Sequence, residues 1–300
     1  MAKTTTVLAG ATGDLGGRIA NLLLDRDTRL RILVRKGSRR DKIDDFQKRG
    51  AEVVEVDFND VSALTEACAG VACVISALAG LREVIIDAQT SLLEAAVKAE
   101  VPRFIPSDFS IDFTKCPAGQ NRNLDLRREF HHKLDQAPLA ATSILNGGFT
   151  HLLTGEAPMI LYRFHRVIYW ENADQLLDFT TIDNTAEFTA AAALDPSTPR
   201  FLRIAGDQIS AKGLVDVASD VTGHKFKLLR AGSLRRLALL TKVFRRLFPQ
   251  EAALYPPWQG MQYFHNMFSG CAKLEPLDND RYPEIRWTTV KQFLARNVPR

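Results

Sequence analysis

The opening of this chain, a strand, a glycine-rich turn and a helix in immediate succession, constrains its fold more than any other feature. Thr4 to Ala9 reads as an apolar strand, Gly10-Ala11-Thr12-Gly13-Asp14-Leu15-Gly16 as the turn, and Gly17 to Leu24 as a helix. Leu15, Ile19, Leu22 and Leu23 fall on one face of that helix. Glycine lets backbone come close to a pyrophosphate, and the amides and positive end of the following helix hold negative charge. Placed at the first β–α turn of a doubly wound sheet, the pattern predicts a dinucleotide on Gly10, Thr12, Gly13, Asp14, Leu15 and Gly16. The competing reading is an ordinary tight turn.

The second strand, Arg29 to Val34, runs directly into Arg35, Lys36, Gly37, Ser38, Arg39 and Arg40. An NAD site places a carboxylate here for the ribose 2′-hydroxyl, which would repel a 2′-phosphate. A guanidinium grips that phosphate with two parallel charge-assisted bonds. Arg35, Lys36, Ser38 and Arg39 therefore predict NADP(H), with Arg40 read as part of a solvated basic loop.

Strand and helix patterns alternate through the first half. Helices are expected near Asp41–Arg49, Val61–Ala69, Glu83–Ala99 and Asn123–Gln136, with strands at Glu52–Val56, Ala72–Ser76, Arg103–Pro106 and Ala140–Leu145. This alternation predicts an α/β fold: a Rossmann-type doubly wound parallel sheet over residues 1–150. Residues 151–300 read as a smaller α/β domain capping a substrate, with some elements returning to the main sheet. There, Ile160 to Trp170 reads as one long aromatic strand, and Asp183–Leu194 and Ser210–Thr222 as helices.

Ligands of such a sheet sit at the carboxyl ends of its strands. Asp57 and Phe58 end the third strand and are read either as adenine contacts or as a helix cap and a core aromatic. Ser76, Ala77 and Leu78 end the fourth with small or apolar groups, and Gln89 lies early in the helix that follows. Ser107 and Phe109, then Asn146 and Phe149, end the fifth and sixth strands and are expected beside the nicotinamide. Ser107 is equally read as a cap.

With 46% hydrophobic residues in 300, the chain can bury a substantial core, and a net charge of +4 gives no reason to expect nucleic acid. Cys68, Cys73, Cys116 and Cys271 lack metal-ligand spacing and read as reduced thiols, with no metal expected. No signal peptide and no bilayer-length apolar run is apparent, so a cytoplasmic location is expected. Leu234, Leu237, Leu240, Val243, Phe244 and Leu247, interleaved with Arg235, Arg236, Lys242, Arg245 and Arg246, predict an amphipathic helix with a solvated basic face. An anionic substrate or a membrane surface is the lesser reading. Oligomeric state is left open, a homodimer being one option.

The glycine turn, Val34-Arg35, Val56-Asp57, Gln89 with Leu92 and Ala95-Ala96, Val101 to Phe109, and Ala141 to Leu145 together resemble the NmrA-like and isoflavone-reductase-like branch of the atypical short-chain dehydrogenase/reductases. Thr181–Ala186 and Arg203–Ser210 extend the resemblance more loosely. It implies NADPH in the Rossmann site and a small domain closing a pocket for aromatic or quinone-like substrates. Isoflavone-reductase-like enzymes carry a lysine beside the nicotinamide at the position of Arg127, counting back from Thr142 without gaps. The Tyr-x-x-x-Lys pair of ordinary short-chain dehydrogenases is missing, Tyr162 being the first tyrosine. Arginine keeps the charge and the donors but cannot give a proton at neutral pH, its pKa being above ~12. His131, one helical turn on, is the nearest group able to exchange one, although His131 and His132 also read as a surface pair.

Two functions follow. One is an NADPH-dependent reductase of an aromatic, quinone or enone-type molecule, with Arg127 stabilising oxyanion charge and His131 or water supplying the proton. Tyr162, Phe164, Trp170, Trp258, Met261, Tyr263, Phe264 and Met267 offer surface for a flat ligand, though most are expected in the core. The other is an NADP(H)-binding redox sensor without turnover.

Overall fold

The computed structural model describes residues 4–26, 28–38 and 40–298. Six parallel strands, β1 (Thr5–Ala9), β2 (Arg29–Val34), β3 (Glu52–Glu55), β4 (Cys73–Ser76), β5 (Arg103–Ile105) and β6 (Ala140–Ala141), form one sheet in the order β3-β2-β1-β4-β5-β6. Strand order reverses between β1 and β4, which makes this the doubly wound Rossmann arrangement expected. The connecting helices are α1 (Asp14–Leu24), α2 (Arg40–Lys48), α3 (Val61–Cys68), α4 (Gln89–Lys98) and α5 (Arg122–Leu134). The helix expected over Glu83–Ala99 forms, but its first turn, Glu83–Ala88, is π-helical.

Val7, Leu33, Phe58, Leu64, Val74, Leu92, Phe104 and Phe130 belong to one buried cluster of this sheet and its helices. Each fully buried side chain of this size contributes about 1.5–3 kcal/mol relative to exposure. Register aligns the strand ends: Ala9 lies opposite both Leu33 and Ser76, Val34 opposite Glu55, and Ile75 opposite Ile105. Gly10, Arg35, Val56, Ala77 and Pro106 therefore leave the sheet at the same edge.

The sixth strand departs from expectation. It breaks at Thr142, because the backbone changes partners there: the Thr142 amide bonds to Phe104, and the Ser143 amide to Arg200. Beyond the break, β7 (Ser143–Leu145) pairs with β12 (Phe201–Arg203) instead of extending the main sheet.

By compactness the chain divides differently from contiguous halves. One unit comprises Met1–Phe109, Leu126–Ile144 and Thr185–Leu202; the other comprises Ser110–Asp125, Leu145–Asn184 and Arg203–Arg300. Residues 185–202, with most of helix α6 (Ile182–Leu194), fall with the first unit. Arg103 on β5 secures that helix. The buried guanidinium donates to the carbonyls of Ala192 (2.9 Å) and Ala193 (3.1 Å) at the helix end, and to Thr198 Oγ1 (2.6 Å).

The second unit holds two small sheets, β14-β10-β9 and β13-β11-β8. Their strands are β8 (Gly148–Phe149), β9 (Ile160–Leu161), β10 (Arg166–Trp170), β11 (Leu177–Thr180), β13 (Asp207–Ile209) and β14 (Lys227–Gly232). The run from Ile160 to Trp170 is two antiparallel strands, because a 3₁₀ turn at Tyr162–Phe164 and a left-handed His165 reverse the chain. Helices α7 (Ala211–Thr222), α8 (Leu234–Leu247), α9 (Pro257–Phe268) and α10 (Val290–Asn297) complete it. Ser210 caps α7 and a left-handed Gly223 ends it, so the helix expected over Ser210–Thr222 forms from Ala211.

The cysteines require a correction. Cys116 and Cys271 form a disulfide whose Cα atoms are 5.0 Å apart, across 155 residues of sequence. Tertiary folding, invisible to local spacing, brings them together. Cys68 and Cys73 are free and buried, and burial pushes both thiols up to about 11.

Candidate functional site

In the first unit the carboxyl edge of the sheet is built around the glycine turn. Gly10 sits at φ +93°, and a Cβ there would come within 2.5 Å of the Ala77 carbonyl oxygen. A Cβ on Gly16 would collide with the Gly10 carbonyl. These two positions require glycine so that the turn packs against the end of β4 and the helix closes on the turn. Gly13 caps α1 without a side-chain acceptor, so no side chain of the cap meets the first-turn donors. The Asp14 carboxylate is drawn aside by Arg18 at 2.9 Å, and Lys42 Nζ steadies the turn through the Thr12 carbonyl at 2.9 Å.

Beyond β2 the chain makes a reverse turn. The Arg35 carbonyl accepts from the Ser38 amide (3.0 Å) and hydroxyl (2.7 Å), with Gly37 left-handed. Arg35 and Lys36 are exposed on this turn, and Arg35 is paired with no carboxylate among the described residues. Arg39 lies outside the described residues.

The end of β5 carries a buried polar network. Asp108, fully buried, meets His131 Nε2 at 2.6 Å through Oδ2, and the same oxygen accepts from the Ser143 hydroxyl at 2.6 Å. Arg200 donates to Ser143 Oγ at 2.6 Å and to His131 Nδ1 at 3.2 Å. A guanidinium only donates, so Nδ1 accepts and the ring proton sits on Nε2, facing the carboxylate. Burial alone would raise the Asp108 pKa; His131, the Ser143 hydroxyl and the Arg127 guanidinium outweigh it and hold the carboxyl below its ordinary range. Arg127 and His131 thus share a face of α5, as their spacing implied, and both act on Asp108.

In the second unit, Asn146 is fully buried and neither end of its amide has a partner; Thr150 Oγ1 and His151 Nδ1 are likewise buried and unpaired. The Phe149 ring lies 5.8 Å from the His151 ring. Buried polar atoms are normally satisfied, and these four unpaired ones lie within six residues of sequence. Among the described residues, no group of three or more His, Cys, Asp or Glu could hold a metal ion, and no helix is long and apolar enough to cross a membrane.

The profile of the NmrA-like family matches residues 1–294. The chain belongs to that family. It is similar to a bifunctional pinoresinol-lariciresinol reductase of Linum perenne, 27% identical with 98% of this chain and 99% of that protein covered. It is also similar to pinoresinol reductase 1 of Arabidopsis thaliana, at 24% identity over 97% and 96% of the two chains. Among solved structures, AtPrR2 with NADP+ and (+)pinoresinol superposes with a TM-score of 0.81 at 21% identity, covering 99% of this chain and all of that one. The leucoanthocyanidin reductase–NADPH complex from Vitis vinifera gives 0.78 at 18% identity, over 98% and 99%. The structural likenesses establish the fold.

Several expected ligand contacts of this NmrA-like chain serve its own framework. Phe58 packs in the core, and Asp57 Oδ1 accepts from the Asn59 amide at 2.9 Å in a local turn, while Asp60 is the residue that caps α3. Gln89 Oε1 accepts from the Ser107 amide at 2.8 Å and its Nε2 donates to Ile85, so the side chain fixes the π-helical turn against the end of β5. Ser107 Oγ donates to the Leu78 carbonyl at 2.6 Å, tying the ends of β4 and β5 together. The Ser76 side chain and Phe109 are buried, while Ala77 and Leu78 are half-buried at the edge. Trp170, Trp258 and Met267 are core residues, and Phe164 is 64% exposed. Arg200, Ser143, Lys42, Thr150 and His151 were not singled out from the sequence. A carboxylate at Asp108 inside an apolar strand end is the one local signal of the network, and nothing was drawn from it in the sequence analysis.

Proposed function

We propose that this chain binds NADP(H) at the glycine-turn edge and reduces a flat aromatic, quinone or enone-type molecule. The observation that carries the reading is the exposed Arg35 guanidinium just past β2, beside a turn whose Gly10 and Gly16 admit no side chain and a helix whose first amides have no side-chain cap. The residues fit the group: α1 amides for the pyrophosphate, Arg35 and Lys36 with Ser38 for the 2′-phosphate, and the half-buried Ala77 and Leu78 against the ribose. Such a cofactor supplies a hydride. Arg127 offers fixed positive charge to an oxygen that becomes negative, held in register because Asp108, His131, Ser143 and Arg200 pin α5 to the end of β5 and to β7. Both His131 nitrogens are spent in that network, so His131 positions Arg127 and water gives the proton.

The relatives named above are named as reductases of pinoresinol, lariciresinol or leucoanthocyanidin, and that likeness motivates the substrate class. A second reading rests on Arg127 and the engaged His131: lacking a side chain that gives a proton, the chain senses NADP(H) without turnover. Calorimetry with NADPH and NADH, followed by NADPH oxidation with a panel of quinones, enones and pinoresinol, separates the two. Loss of nicotinamide absorbance with any member supports the reductase; tight NADPH binding with a silent panel favours the sensor. No heat with either nucleotide defeats both.

A further inference from the structure

We propose that the outward face of α8 docks on an anionic phospholipid surface, the helix lying parallel to it. α8 buries Leu237 and Thr241, yet Leu239, Val243 and Leu247, spaced i, i+4 and i+8 on the far side, are 62%, 43% and 64% exposed. Phe248, 51% exposed, continues the apolar surface past the helix end. A solvated face would place polar residues at these positions; the sequence reading put Val243 and Leu247 in the apolar stripe, and the structure leaves both exposed. Arg235, Arg236, Lys242 and Arg246 are exposed along the same helix, and no Asp or Glu occurs between Leu234 and Phe248. Arg245 is directed elsewhere, 4.7 Å over the Trp258 ring and 2.9 Å from Glu251.

The charge pattern selects the occupant. A second copy laid face to face would bring two sets of cations together with no carboxylate between them. A surface of anionic headgroups over acyl chains instead satisfies the cations and covers the leucines. At ~1.5 Å per residue, the 14 residues of α8 reach about 21 Å, too short to span the hydrocarbon and suited to lying in the interface.

The test is co-sedimentation of the full-length protein with phosphatidylcholine vesicles, with and without about 30% phosphatidylserine. Binding should require phosphatidylserine, weaken with salt, and fall about fivefold for each of Arg235→Gln, Arg236→Gln and Arg246→Gln. The combined Leu239→Ser, Val243→Ser, Leu247→Ser variant should lose at least ~10-fold in partitioning, with NADPH affinity and melting temperature held as controls of folding. No partitioning into anionic vesicles overturns the proposal. Equal partitioning into neutral vesicles does so too. A dimer seen by sedimentation velocity and abolished by the triple serine variant would assign the face to self-association and overturn it as well.

Discussion

Arg200 Nη2 donates to His131 Nδ1 at 3.2 Å, and that bond fixes which nitrogen of the ring carries the proton. Nitrogen-resolved NMR should find the proton of the uncharged imidazole on Nε2. Arg200→Ala removes the donor and should allow the Nδ1-protonated form to appear. A ring already protonated at Nδ1 in the intact protein contradicts the network.

Asp108 should matter for stability more than for ligand affinity. Removing one partner from a buried charged network costs about 3–5 kcal/mol, because the remaining charges stay desolvated. Asp108→Ala is therefore expected to lower the unfolding free energy by roughly 3 kcal/mol, read from the urea midpoint. The sign with pH follows from the lowered pKa. The folded carboxyl stays ionised where the unfolded one takes up protons, so its stabilisation is present above the ordinary carboxylate pKa of ~4. That stabilisation is lost as pH falls through the lower folded value. The acid limb of stability against pH should be shallower in Asp108→Ala than in the parent.

Arg35→Asp should invert the nucleotide preference. It replaces the group meeting a 2′-phosphate by one that repels it, and charge-assisted bonds to such a group are worth about 1.5–3 kcal/mol. NADPH should bind ~10-fold or more weaker, with NADH retained or improved. An unchanged ratio of the two dissociation constants would remove Arg35 from the site.

What the sequence carried was local. Gly10, Gly16 and Arg35 sit within a few residues of the strands that place them, so their consequences could be drawn from spacing alone. The i, i+4 relation of Arg127 and His131 was likewise legible, since one helix holds both. The network around them was not, because Arg200 arrives from the returning segment and Ser143 depends on the break at Thr142. Gln89 and Ser107 were recognised as important, but their bonds to each other and to Leu78 are tertiary facts. The outward leucines of α8 were hidden for a related reason: periodicity defines an apolar stripe without saying which side the protein covers.

The cysteines should separate by reactivity. Cys68 and Cys73, buried with raised thiol pKa, should resist alkylation in the native protein at pH 8, whereas dithiothreitol should free Cys116 and Cys271 for labelling. Closing a loop of 155 residues, the bond should contribute about 2–5 kcal/mol, lost in Cys271→Ser. Mass spectrometry finding Cys116 and Cys271 alkylated in the native protein without dithiothreitol would show that the pair is not joined in solution.

The substitution at position 127 bears most directly on whether this chain turns over. A guanidinium can stabilise negative charge on a substrate oxygen without giving up a proton, so Arg127→Ala should leave NADPH affinity largely intact. It should lower kcat by about 10²–10³, the usual loss on removing an oxyanion-stabilising donor. Arg127→Lys keeps the charge and adds an ammonium that can lose its proton. If water already supplies the proton, as the engaged His131 implies, the lysine variant should retain kcat and show a new alkaline limb in its pH profile. If the arginine instead marks a sensor, Arg127→Lys should be the variant in which activity first appears on a panel to which the parent is silent. The two outcomes cannot be confused, because one begins from measurable turnover and the other from none.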